Sequence, residues 1–295
     1  MGFRLIAVDV DGTLLRSDGS ISERTRTTLA RAVDRGASLA VATGRRRRTA
    51  LPIMHRLGVP HYLVASQGAT TWYEDEIIAH AHLPVASARR AIELLDSNGH
   101  FGIIFGNSFQ PEAIWVTGGD WRANPRVAQY LLRGERGDAP VPQNLGPDGI
   151  EHDPIEIIVF DDMDRLEALN EHLTGHTAPP PALDPPLQDD QSRPQPLWRV
   201  IFSRNQFTAG GAIEIVGPDT SKAHALAALC DRLGCTPAEV IAFGDNVNDL
   251  EMLNFAGLGV CMANGTPEAR AAAGRVCPSN DEDGIAVTLE ELGLA

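Results

Sequence analysis

Short apolar runs that alternate with amphipathic stretches limit more than anything else how this chain folds. Residues 3–10 (FRLIAVDV), 38–42 (SLAVA) and 62–65 (YLVA) read as strands buried on both faces. Residues 21–35 and 45–57 read as the helices between them, with Ser22 as N-cap and Gly36 and Gly58 as stops. Residues 70–82 read as a hairpin turning through Glu74, Asp75 and Glu76. The alternation resumes after Pro218: helix 221–233, strand 239–243, helix 248–256, strand 258–262, helix 267–273, strand 275–277 and a last helix from 282. Such alternation implies an α/β fold, a doubly wound parallel sheet with helices on both faces.

The middle of the chain has a different texture. A helix at 85–97 precedes short strands near 102–106 and 113–117, and a helix follows at 125–133. Residues 134–149, rich in Gly and Pro, read as loop. Then come a strand at 155–160, a helix at 162–173 and strands at 197–203 and 211–216, a second open-faced α/β unit. The proline-rich stretch 176–196 reads as an irregular loop. The expected division is one domain from residues 1–82 and 217–295, with residues 83–216 inserted as another.

Composition narrows the function. The 25 basic residues are 24 arginines and one lysine, Lys222, so any chemistry that needs a lysine must use that one. Lys222 sits in DTSKAH, which is neither a Walker loop nor a kinase VAIK strand, and HExxH and GxSxG are missing from the chain. A net charge of −14 argues against nucleic acid as a partner. No run approaches the roughly 20 apolar residues of a membrane span. The start MGFRLIAVDVDG does not read as a signal peptide, and Ile6 stands where a myristoylation motif needs Ser or Thr. Cys230, Cys235, Cys261 and Cys277 have neither a CxxC pair nor zinc spacing, and read as reduced core residues of a cytoplasmic protein.

The residues that carry chemistry cluster at strand ends. Asp9 and Asp11 close the first strand; two apart in extended chain, they point to the same side, and ligands of open α/β sheets bind outside such ends. Gly12 then lets the chain turn, and stands at the wrong place for an EF-hand calcium loop. Asp245, Asn248 and Asp249 (GDNVND) follow the strand 239–243 in the same manner. Acids that converge repel one another unless a cation sits among them, and oxygen-only ligands favour a hard ion such as Mg²⁺. An N-cap is the plainer reading of Asn248 alone. Thr43 and Gly44 end the second strand, where a hydroxyl and backbone N–H groups suit a phosphate. Lys222 and Arg45–Arg48 put cations at helix starts, where the dipole disfavours them unless an anion lies nearby; for most of the arginines a solvated basic edge is the plainer reading.

Together these pieces resemble the haloacid dehalogenase superfamily of phosphohydrolases, in particular its Cof-type branch with an inserted α/β cap. DVDGTL at 9–14 looks like the first motif, TGR at 43–45 the second, Lys222 in TSKAHAL the third, and GDNVND at 244–249 the fourth. VCMANGTPEARAAAGRVCPSNDEDGIA at 260–286 is similar to the branch's C-terminal pattern. The resemblance implies a Mg²⁺-dependent phosphatase that acts on a small phosphorylated metabolite. Asp9 would be the nucleophile and Asp11 the general acid/base. Asp9, the backbone carbonyl of Asp11, and Asp245 would hold the metal, with Asp249 in support. Thr43, Gly44, Arg45, Lys222 and Asn248 would surround the phosphate or substrate.

The chain departs from the branch in places. Gln67-Gly68-Ala69 replaces the usual Asn-Gly-Ala, Arg46 replaces a frequent Pro, and 176–196 looks like a private insertion; none is expected to touch the metal or nucleophile, and the first two are able to alter the substrate pocket. Two other readings share the fold: a phosphomutase, which would isomerise without net phosphate release, and a non-catalytic sensor of phosphorylated metabolites. Trp115 and Trp121 (WVTGGDWR) are able to stack on a substrate ring, but packing against helices is the plainer reading.

Overall fold

The computed structural model describes residues 2–107, 113–133, 142–175, 197–205 and 210–295. They form two compact units, Met1–His80 with Ser221–Ala295, and Ala81–Thr220. The proline-rich stretch 176–196 lies outside the described residues.

The first unit opens with β1 (Leu5–Asp9), α1 (Glu23–Asp34), β2 (Ser38–Ala42), α2 (Arg47–Leu57), β3 (Tyr62–Ala65), β4 (Thr70–Tyr73) and β5 (Glu76–His80). The second unit follows with α3 (Val85–Ser97), β6 (Gly102–Phe105), β7 (Ile114–Val116), α4 (Pro125–Arg133), β8 (Gln143–Asn144), β9 (Glu156–Asp161), α5 (Met163–Thr174), β10 (Arg199–Asn205) and β11 (Gly210–Val216). The chain then returns with α6 (Lys222–Leu233), β12 (Val240–Gly244), α7 (Leu250–Phe255), β13 (Leu258–Met262), α8 (Pro267–Ala272), β14 (Arg275–Cys277) and α9 (Gly284–Glu291).

The first sheet runs β14-β13-β12-β1-β2-β3-β4-β5, parallel from β14 to β3 and antiparallel through β4 and β5. Its central strands are apolar on both faces because helices cover both. Ile6 and Val8 of β1 pack with Leu29 of α1, Ile53 of α2 and Leu289 of α9. Leu5 and Ala7, one residue out of phase, pack with Leu226 and Leu229 of α6 and Met252 of α7. β1 is central, and successive strands go outward on one side to β2 and β3 and on the other to β12 and β13. The carboxyl ends of β1 and β12 therefore flank a topological switch point, where open α/β sheets bind ligands.

The second unit is a sheet in the order β10-β11-β9-β6-β7-β8, antiparallel except for the β7–β8 pair. The polar pair Gln143–Asn144 forms β8 inside the stretch 134–149 expected as loop; its hydrogen bonding to β7, not its composition, makes it a strand. One face of the sheet packs Ile104, Ile157, Val159 and Ile213 against α3 and α5, with Trp198 fully buried among them and Trp115 at the margin. The other packs Phe105, Val116 and Phe160 with Trp121 and with Val127 of α4. Trp121 is thus a core residue that packs against α4.

Trp198 also donates from Nε1 to Leu173 O at 3.3 Å. Trp198→Ala is expected to destabilise this unit by about 3–5 kcal/mol. Urea unfolding followed by circular dichroism checks this, and an unchanged midpoint would contradict the packing.

Candidate active site

Four neighbouring strand ends and one helix start build the site, all within the first unit. Asp9 ends β1, Thr43 and Gly44 follow β2, Gln67 follows β3, Asp245 follows β12, and Lys222 is the first residue of α6. Lys222 is in place because Ser221 caps that helix, its hydroxyl accepting from His224 N–H.

Lys222 is buried, and its ammonium donates to Asp9 Oδ1 at 2.5 Å and to Asp249 Oδ1 at 2.6 Å. Asp249 is buried as well; its other oxygen, Oδ2, accepts from the backbone N–H of Asp245 and of Asn246, each at 3.0 Å. Both oxygens of Asp249 are thus committed, one to the lysine and one to the turn that carries Asp245. Asp245 Oδ1 accepts from Thr13 Oγ1 at 2.9 Å. The turn through Gly12 (φ +85°) passes so close that a Cβ there would lie 2.4 Å from Asp245 Oδ2, so the position requires glycine on both counts.

Asp9, Asp245 and Asp249 each offer an oxygen within 4.8 Å of the others. Against these three carboxylates stands the Lys222 ammonium, which leaves the cluster with excess negative charge. Burial, followed by the Asp249 charge, raises Asp9 well above the usual carboxyl range although Lys222 pulls it down. The same two causes push Asp245 up to about 6. Burial lowers the Lys222 pKa, but Asp249 and Asp9 outweigh it and the net shift is upward, so the lysine is charged. An all-oxygen, over-charged cluster fits a hard divalent cation.

The other expected site residues fall around this centre. The carboxylate of Asp11 stands outside the cluster, half exposed, and is gripped by Arg45 through Nε to Oδ2 at 2.7 Å and a terminal nitrogen to Oδ1 at 2.6 Å. The helix expected from residue 45 begins at Arg47, with Arg46 at its N-cap. Arg45 therefore lies before the helix, drawn to Asp11. Arg47 stacks on Trp72 and donates to Asp75, so the four arginines do not share a first turn facing one anion. Thr43 is buried, and its hydroxyl accepts from Arg45 N–H at 3.0 Å. Asn248 lies in a short helical turn before α7; the residue that caps this turn is Asn246.

Sequence reasoning did not assign Thr13, Gln67 or Asn264. Gln67 Oε1 accepts from Asn248 Nδ2 at 3.2 Å, and Asn264 Nδ2 donates to Gly12 O at 2.8 Å. All three lie in or beside the quoted motifs, which was the available signal.

The sequence matches the family profile described as haloacid dehalogenase-like hydrolase over residues 6–289. The chain belongs to the haloacid dehalogenase-like hydrolase family. It is 27% identical over 305 residues to the 5-amino-6-(5-phospho-D-ribitylamino)uracil phosphatase YitU of Bacillus subtilis, covering 97% of this chain and 96% of that one. It is 27% identical over 275 residues to the HMP-PP phosphatase of Escherichia coli, covering 91% and 87%. In fold it is similar to the HAD subclass IIB sugar phosphatase BT4131, with a TM-score of 0.71, 18% identity and 99% and 100% coverage. The doubly wound core with an inserted α/β unit is thus the fold of this haloacid dehalogenase-like hydrolase. No helix among the described residues is long and apolar enough to cross a membrane.

The charge excess has a consequence for this hydrolase's stability. Asp9 and Asp245 bind protons more tightly folded than unfolded. Folding therefore takes up protons between the ordinary carboxyl range and about 6, and stability falls as pH rises through that window. In chelator, wild type should lose about 1–3 kcal/mol more than Asp245→Asn between about pH 4.5 and pH 7, and a divalent cation should abolish the difference. Chemical denaturation across that range checks it; identical profiles for the two proteins in chelator would refute the charge excess.

Proposed function

We propose that this haloacid dehalogenase-type phosphatase is Mg²⁺-dependent and hydrolyses a small phosphorylated metabolite through an aspartyl-phosphate on Asp9. The observation that carries the reading is the Asp9–Lys222–Asp249 chain buried beside Asp245 and next to the Thr43 loop. It combines a nucleophile, a fixed cation and a loop suited to phosphate at one switch point. The relatives named above act on compounds that share a phosphate on a small organic frame, and this chain's substrate is placed in that class.

Lys222 on Oδ1 of Asp9 orients the carboxylate. An oxygen of Asp9 attacks phosphorus in line, and the bond from phosphorus to the substrate oxygen breaks. Asp11 gives its proton to that leaving oxygen. It then takes a proton from water, whose oxygen attacks the phosphorus and releases phosphate and the free Asp9 carboxylate. The bidentate grip of Arg45 occupies both oxygens of Asp11, so the pair must open before Asp11 serves the leaving oxygen. Lys222 and Asn248, with the Thr43 hydroxyl, neutralise and orient the phosphoryl oxygens. Mg²⁺ held by Asp9, the carbonyl of Asp11, and Asp245, with Asp249 bracing the turn, would supply charge neutralisation at the phosphoryl group.

The test is phosphate release from a panel of phosphorylated metabolites and an aryl phosphate. Release is expected with Mg²⁺, abolished by chelator, and reduced at least about 10³-fold in folded Asp9→Asn, as for loss of a nucleophile. Retained turnover in that variant would sink the covalent route. Lys222→Ala should weaken inorganic phosphate binding and lower kcat/KM; wild-type constants would remove Lys222 from the mechanism.

A further inference from the structure

The turn after β3 is where the chain departs from the branch it resembles, and its geometry is unusual. Ser66, Gln67 and Gly68 have φ of +49°, +58° and +103° in succession, and all three are buried. Two consecutive non-glycine residues in the left-handed region need a surrounding structure that over-determines them, and such strain gathers at functional sites.

Three other loops touch this turn. Ser66 N–H donates to Arg45 O at 2.9 Å and Gln67 N–H to Thr43 O at 3.1 Å. In a trans peptide the N–H points away from the C=O. With the carbonyls of Thr43 and Arg45 turned to Ser66 and Gln67, the peptide N–H groups that follow them point the opposite way. Gly68 packs on the start of α6: a Cβ there would lie 2.2 Å from Ser221 O, one residue before Lys222. The Gln67 side chain lies against Gly44, where a Cβ would meet its Nε2 at 2.4 Å, and its Oε1 accepts from Asn248 Nδ2 at 3.2 Å.

We propose that Gln67 is a positioning residue of the phosphate pocket, holding the Asn248 amide in place while its strained turn sets the Thr43–Arg45 loop beside Lys222. The proposal rests on the phosphatase reading for its ligand. One methylene longer than the Asn of the related branch, Gln67 reaches from the third strand end to the turn after β12 and still fills the space over Gly44. Its effect on phosphate runs through Asn248.

A double-mutant cycle tests this. Gln67→Met keeps the length and removes the acceptor; Asn248→Ala removes the donor. The readouts are inorganic phosphate binding by calorimetry with Mg²⁺, and KM and kcat on the best substrate. Gln67→Met is expected to weaken phosphate binding and raise KM about five- to tenfold, the loss of one hydrogen bond, with kcat changed less than about twofold. In the Asn248→Ala background the same substitution should add less than about twofold. Wild-type phosphate affinity in folded Gln67→Met, or the same five- to tenfold loss in both backgrounds, would overturn it. Should Gln67→Met not fold, Gln67→Asn, which falls short of Asn248, carries the same cycle. A wild type that binds phosphate but turns over nothing defeats the phosphatase reading and leaves this cycle readable; a wild type that binds no phosphate overturns both.

Discussion

The buried ammonium of Lys222 between Asp9 and Asp249 is the interaction on which the rest of the site depends. It ties the end of β1 to the start of α6 and to the turn before α7. A buried charge of either sign is costly alone, so none of the three groups could sit there without the others. The chain uses arginine for every other basic residue. Here two carboxylates approach one nitrogen at 2.5 and 2.6 Å in a space closed to solvent. A compact ammonium with rotatable donors fits that arrangement, and a planar guanidinium does not.

The fold supplies the meeting place. The nucleophile candidate and the lysine are 213 positions apart, with the whole second unit between them in sequence. Because β1 is central and β2 and β12 both run parallel beside it, the loops that follow all three strands emerge at one edge. The hydrogen bonds Thr13 to Asp245 and Asn264 to Gly12 then lock the first motif's turn to the last core segment. The insertion is compatible with this because the chain leaves after β5 and returns at Ser221, outside the strands that carry the site.

The strands at 38–42 and 258–262 were legible to the residue, because burial on both faces leaves a nearly uninterrupted apolar run. The start of α2 was not: Arg45 has ordinary helical propensity, and its place is decided by Asp11, 34 positions away. β8 was not legible because two polar residues carry no period. In the site, the acids and the lysine stood out by residue type and position. What could not be read was which oxygen serves which partner. Asp249 reads as a supporting ligand; its oxygens also hold Lys222 and the Asp245 turn, while one lies within 4.8 Å of oxygens of Asp9 and Asp245. Gln67 was visible as a departure able to alter the substrate pocket, but its conformation was not, since a positive φ leaves no mark on a glutamine.

The protein's overall charge of −14 opposes the approach of a phosphorylated substrate, whereas the site must bind one. Distance reconciles the two. Surface charges are screened beyond about 8 Å at physiological salt, so the acidic exterior acts weakly on a ligand already at the strand ends. The local field there is set by groups a few ångströms away, and without a metal those groups are themselves net negative. Together with burial, the larger cause, this like charge raises Asp9 and Asp245 above the usual carboxyl range. In the proposed mechanism a divalent cation would neutralise the excess of three carboxylates over one ammonium, and so would remove the repulsion an incoming phosphate meets.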